Sequence, residues 1–141
     1  MTRFVVDAPT LVQLAEYRLP VHPHHQLLAP HAVRSQALDL LLARVRGGRC
    51  TDRDALLLHE AMTAIPIRLL GDRVSRRTAW QLARQLDLET VQEVEYLAVA
   101  VLQGDALVTS DPRLSALADG RVRVAAVADL SAGPDGTTLL R

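Results

Sequence analysis

Short apolar stretches alternate with helix-patterned ones along the whole chain, and that alternation leaves few folds open. Arg3-Phe4-Val5-Val6 is short, β-branched and apolar, and it stops at Asp7-Ala8-Pro9, which predicts a buried first strand. Pro9 suits the first turn of a helix over Thr10–Glu16. A loop rich in Pro and His (Leu19 to His25) separates it from a second strand at Leu27-Leu28-Ala29. In residues 31–46, Val33, Ala37, Leu40, Leu41 and Val45 recur at helical spacing until Gly47-Gly48 stops the run. Thr51 reads as the N-cap of a helix over 52–64, with Asp52 and Asp54 in its first turn. Further strands are expected at 66–70, 106–109 and 122–127, and further helices at 75–86, 89–103 and from Pro112 to about Ala118. Strands alternating with helices build a parallel sheet with right-handed crossovers. Ligands of such sheets bind beyond the carboxyl ends of the strands, where strand order reverses.

At 141 residues the chain is one domain, expected over 1–130, followed by a turn-rich tail from Ser131 that is expected to be mobile. Hydrophobic residues make up 49% and aromatics only 3%, so Leu, Val and Ala must fill the core. All 16 basic residues are Arg. With no lysine, Schiff-base chemistry and the P-loop phosphate clamp are excluded, and the same lack argues strongly against a third reading, a flavodoxin-like receiver with Asp7 in an acidic pocket. Formal net charge is zero, so binding to nucleic acid needs a local patch. The lone Cys50 has no disulfide partner, which fits a reducing compartment. Asp7 interrupts the first apolar stretch, so no signal peptide is expected, and no apolar run approaches the roughly 20 residues of a membrane span. The expectation is a cytoplasmic protein with no membrane partner.

The acids gain meaning once placed on this scaffold. Asp7 follows the first strand and Asp111 follows the strand at 106–109, so both fall at the carboxyl edge. Crossover helices run antiparallel to the strands, which brings Gln36 and Glu93, each early in its helix, to that same edge. Oxygen donors without thiolate or imidazole select Mg²⁺ or Mn²⁺ over zinc. Simpler readings stand beside this one. Asp111 before Pro112 makes a good helix cap. Gln36, in line with Val33 and Leu40, also reads as a satisfied core amide. Glu93, in line with Leu97 and Ala100, is expected to be partly buried, whereas Glu89 and Glu95 are expected to be solvated. Arg73, Arg76 and Arg77 at a helix start read either as phosphate-binding groups or as a solvated helix end. His22, His24, His25 and His31 are irregularly spaced and read as a solvated loop. His59-Glu60 lacks the second His of a zinc-protease motif.

Three segments together carry a resemblance: Phe-Val-Val-Asp-Ala-Pro-Thr at 4–10, Glu-Val-Glu-Tyr-Leu-Ala-Val-Ala at 93–100 and Ala-Leu-Val-Thr-Ser-Asp-Pro-Arg-Leu at 106–114. In order and spacing they resemble PIN domains, in particular VapC-like toxins of bacterial toxin–antitoxin pairs. The resemblance implies a PIN-like three-layer α/β/α sandwich with a central parallel sheet of four to five strands. It also implies a Mg²⁺- or Mn²⁺-dependent endoribonuclease, with RNA as substrate, a small antitoxin protein as partner and pairing of two copies. By motif, Asp7, Glu93 and Asp111 would be metal ligands, Thr109 would support Asp111 through its hydroxyl, and Gln36 would complete the catalytic set. Two positions depart from the family pattern. Glu93 stands where Asp is usual, which lengthens the arm by a methylene. Gln36 stands where a glutamate is usual, which removes a negative charge. Asp39, three residues on, is a candidate substitute. Loss of that charge makes a non-catalytic PIN-like module that binds RNA or protein the competing expectation.

Overall fold

The computed structural model describes residues 1–133. Five strands and six α-helices follow one another as β1 (Thr2–Val6), α1 (Ala8–Glu16), β2 (His25–Pro30), α2 (Val33–Arg46), α3 (Asp52–Thr63), β3 (Arg68–Leu70), α4 (Arg73–Gln85), α5 (Gln92–Gln103), β4 (Ala106–Val108), α6 (Pro112–Ala118) and β5 (Arg123–Ala125). A 3₁₀ turn, Val127–Ser131, closes this part of the chain. The strands form one sheet in the order β3-β2-β1-β4-β5, and all four pairings are parallel. With helices on both faces, this is a three-layer α/β/α sandwich.

Register explains how so few aromatics suffice. Phe4 pairs with Leu27 and Ala106, while Val5 pairs with Leu28 and Leu107, so successive layers of the sheet present apolar side chains to opposite faces. On one face Phe4, Val6, Leu27, Ala106 and Val108 pack with Leu14 of α1 and with Leu130. The other face is covered by α5, which touches β1, β2 and β4 as well as α4 and α6. Residues Val94 and Tyr96 to Ala100 of α5 are all buried, so this is the central helix of the fold. Gly104 ends it against β1, where an added Cβ would stand 2.9 Å from a Val5 methyl and 3.1 Å from the Ala100 Cα.

Several boundaries move from their expected places, each for a local reason. Helix α4 begins at Arg73 because the Asp72 carboxylate accepts from the Ser75 backbone N–H at 2.8 Å and caps it. It ends where Asp87 adopts φ +54° and the Leu88 N–H returns to the Ala83 carbonyl at 2.8 Å. Glu89 and Thr90 therefore lie in the connection, and α5 starts at Gln92 rather than at 89. Strand β3 is shorter than 66–70, pairing only over Arg68–Leu70, and β5 is confined to Arg123–Ala125 opposite the three residues of β4. The packed chain also passes the expected boundary at residue 130. Leu130 is fully buried, its carbonyl accepts from the His22 N–H at 2.8 Å, and the Ala132 carbonyl takes a hydrogen bond from the His25 ring. The tail expected to be mobile is thus tied down at its start; from residue 134 on it lies outside the described residues. Among the described residues no helix is long and apolar enough to cross a membrane.

Candidate functional site

Strand order reverses between β1 and β4: the chain moves from β1 outward to β2 and β3, then returns to the other side of β1. Parallel sheets leave a crevice beyond the strand ends at such a point. Asp7 follows β1 there, and Thr109 and Asp111 follow β4. The first turns of α2 and α5 bring Gln36 and Glu93 to the same place. Asp7, Gln36, Glu93, Tyr96, Asp111 and Arg113 line a cleft of about 170 Å³.

Asp7 is only 5% exposed. A buried carboxylate must be hydrogen-bonded to be tolerated, and this one is on both oxygens. Oδ1 accepts from the Thr10 N–H at 3.0 Å and caps α1; Oδ2 accepts from the Thr109 hydroxyl at 2.6 Å. The Thr109 oxygen in turn accepts from the Asp111 N–H at 3.0 Å. Thr109 thus supports Asp7 through its side chain; what it gives Asp111 is an acceptor for the backbone, not the expected hydroxyl contact to the carboxylate. Asp111 is exposed and caps α6 through Oδ1, which accepts from the Arg113 N–H at 2.9 Å. Both aspartates are therefore helix caps. Capping uses one oxygen of each, and it does not account for their meeting at one crevice.

Two partnerships were not expected from sequence. Arg113 donates from Nε to Glu93 Oε1 at 2.8 Å and from Nη2 to Oε2 at 3.2 Å, a two-point guanidinium–carboxylate pair at the cleft mouth. A hydrogen bond to Glu93 and the charge of that carboxylate raise the Arg113 pKa further, so the guanidinium stays protonated. Gln36 is engaged through its side-chain oxygen, which accepts from the buried Tyr96 hydroxyl. Burial raises the Tyr96 pKa, and the negative charges of Asp7 and Glu95 raise it further, so Tyr96 stays a neutral donor. Tyr96 falls one turn after Glu93 on the same helix face, the spacing that could have marked it. Asp39 is exposed, outside the cleft, and does not stand in for the missing charge.

Other expectations divide. Glu89 is exposed as expected, but Glu95 is half-buried rather than solvated, and burial pushes its carboxyl pKa up. Arg73, Arg76 and Arg77 are exposed on the first turns of α4 and none lines the acidic cleft. The nearby Asp72 keeps its carboxyl pKa low chiefly through hydrogen bonds from Ser75. The loop histidines are more ordered than a solvated loop requires, with His22 and His24 stacked at 5.2 Å and His25 edge-on to Phe4 at 4.9 Å. These three lie at the start of β2, the opposite end of the sheet from the cleft, whereas His31 follows the end of β2. Among the described residues no group of three or more His, Cys, Asp or Glu side chains is placed to hold a metal ion.

No protein-family model matches this sequence, and no curated protein matches it. Solved structures do. The chain is similar to PAE2754 from Pyrobaculum aerophilum, known from a crystal structure. The two are 27% identical over 92% of each chain, with a TM-score of 0.69. Near-complete coverage in both directions makes the shared sandwich a property of the whole chain, not of one motif.

The donor chemistry fits a hard cation in kind. Asp7, Glu93 and Asp111 supply only oxygens, and the acid edge already attracts a positive group in the form of Arg113. As the side chains lie, Glu93 would have to release that guanidinium to bind a metal. Replacing Arg113 with Gln should therefore tighten Mn²⁺ binding several-fold, read by calorimetry. An unchanged or weaker affinity would mean that the pair does not compete with a cation.

Proposed function

We propose that this protein is a PIN-type, metal-dependent endoribonuclease of the VapC kind, the toxin of a toxin–antitoxin pair. One observation carries the reading: acids that follow β1 and β4 and open α5 line one cleft over the point where strand order reverses. Asp7, Glu93 and Asp111 would hold the metal, Mg²⁺ or Mn²⁺. When bound, such an ion lowers the pKa of a coordinated water and stabilises charge on a scissile phosphate. The chain's own residues prepare the site. Thr109 and the Thr10 N–H fix the Asp7 carboxylate in one orientation, so it needs no reorganisation to act. Tyr96, held neutral, fixes the Gln36 amide. Arg113, once released from Glu93, is a guanidinium at the cleft mouth matched to a phosphate. A small antitoxin covering this cleft, two copies acting together and a cytoplasmic setting belong to the same proposal.

A second reading has its own support. Gln36 brings no charge, its oxygen is taken by Tyr96, and Glu93 is neutralised by Arg113. Those contacts favour a PIN-like module that binds RNA or a protein without cutting. Metal binding and RNA cleavage measured on the same preparation separate the two. The enzyme reading expects Mn²⁺ binding in the millimolar range or tighter, with metal-dependent cleavage. Neither binding nor cleavage would leave only the module. Gln36→Glu restores a fourth carboxylate and should raise metal affinity on the order of tenfold; cleavage at subsaturating metal should rise with it.

A further inference from the structure

A second cavity, of about 400 Å³, opens at the same edge of the sheet but over β2 and β3. Pro30 and Leu70 end those strands beneath it, and Ala79 of α4 and Val99 of α5 give it an apolar wall. Gly71 lets the His31 ring lie close over the chain there, since a Cβ would stand 2.5 Å from that ring and displace it. Helix α5 separates this cavity from the acidic cleft: Glu93 and Tyr96 face the cleft, while Glu95 and Val99 face the cavity. Neighbouring strands lie about 4.8 Å apart, so the two sites are separated by two strand spacings, roughly 10 Å.

Three side chains at this cavity are left unused by the fold. Trp80, the one tryptophan of the chain, lines it yet is 63% exposed. A large flat apolar ring left open at a concave site is a stacking surface. Glu95 is half-buried at the cavity, and no described residue hydrogen-bonds its carboxylate. Arg76 is exposed and forms no ion pair among the described residues. An aromatic face, an acceptor pair and a guanidinium around an otherwise apolar cavity match one chemical class. A nucleobase stacks on aromatic rings, its pairing edge presents donors, and its phosphate takes a guanidinium. A hydrophobic peptide would use the ring and wall but would leave the half-buried carboxylate unpaired.

We infer that this cavity is a base-binding subsite for a single RNA strand, with Trp80 stacking on the base, Glu95 accepting from its pairing edge and Arg76 holding its phosphate. The inference rests on the ribonuclease reading for its substrate class and adds the nucleotide beside the scissile bond. Guanine, with two adjacent pairing-edge donors, matches a carboxylate in two-point fashion; uracil has one donor and no amino group. The base held here is therefore guanine.

The test uses the full chain in chelator, without metal, so that no turnover enters. Trp80 is its own reporter. GMP should quench its fluorescence saturably. UMP should bind at least tenfold more weakly, and ribose 5-phosphate should leave the signal unchanged. Glu95→Gln and Arg76→Ala should each weaken GMP binding at least fivefold, and Trp80→Leu should do so by calorimetry. Absence of saturable quenching by any nucleotide overturns the subsite, as does an equal response to ribose 5-phosphate or UMP. Quenching by an apolar peptide but not by GMP also overturns it, in favour of a protein-docking surface. Asp7→Asn should bind GMP like the parent, so a failed cleavage assay and a failed subsite are told apart.

Discussion

Asp7→Asn should abolish metal-dependent RNA cleavage while leaving the protein folded. Asparagine is as good an N-cap as aspartate, so the hydrogen bond from the Thr10 N–H survives. What is lost is the negative charge, together with the strong bond from the Thr109 hydroxyl to a carboxylate oxygen. Thr109 also accepts from the Asp111 N–H, so it can turn its proton only at some cost to that arrangement. The stability penalty should be about 1 kcal/mol, the ordinary value of one such bond. The catalytic penalty should be far larger. A metal's stabilisation of transition-state charge is worth several kcal/mol, so cleavage should fall by on the order of 10²-fold or more. Single-turnover cleavage beside a thermal melt reads both quantities. A folded variant that keeps more than about a tenth of the parent rate would remove Asp7 from the site and the acidic cleft from the mechanism.

Leu97→Ala should be the most destabilising single change in this part of the molecule, at about 3–4 kcal/mol. Leu97 is fully buried in the helix that touches three strands and two other helices. Removing its side chain opens a cavity that rigid neighbours on every side cannot close. Against a total stability of about 5–15 kcal/mol for a domain of ordinary size, that is a large share. Leu56→Ala is the control: this side chain is 60% exposed, and its loss should stay within about 0.5 kcal/mol. Urea unfolding of the two variants measures the difference. If Leu97→Ala costs less than about 1 kcal/mol, α5 is not the central helix it is taken to be. The same variant should loosen both the acidic cleft and the cavity over β2 and β3, because α5 divides them.

The sheet and most helices were legible because their signals are local. Asp7 could be placed at the carboxyl edge because an acid ending the β-branched run Phe4-Val5-Val6 has one position in a parallel sheet. Thr109 and Asp111 followed by the same logic. Arg113 was not legible. An arginine just past an Asp-Pro cap reads as exposed helix surface, and nothing local says that Glu93, 20 positions earlier, lies across from it. The pairing depends on how α5 packs against α6. Tyr96 and Gln36 are 60 positions apart, and their contact depends on how the fold brings α2 and α5 to one cleft. The solvated reading of Glu95 failed for a related reason. Nothing local places α4 beside it, yet α4 packs against α5 and Glu95 shares a cavity with Ala79 and Trp80 of that helix. Helix starts shifted where a side-chain cap or a left-handed residue, Asp72 and Asp87, decided the turn.

The two outermost strands, β3 and β5, are only three residues long, and each opens with an exposed arginine, Arg68 and Arg123. An edge this short offers a second molecule too few backbone groups to zip onto, and the guanidiniums discourage a ribbon from continuing across the border. Among the described residues, both edges therefore disfavour self-association through a shared sheet and a fibril grown from it. If two copies pair, they meet through helices, where Leu38 and Leu42 of α2 and Leu56 and Leu57 of α3 stand open to solvent.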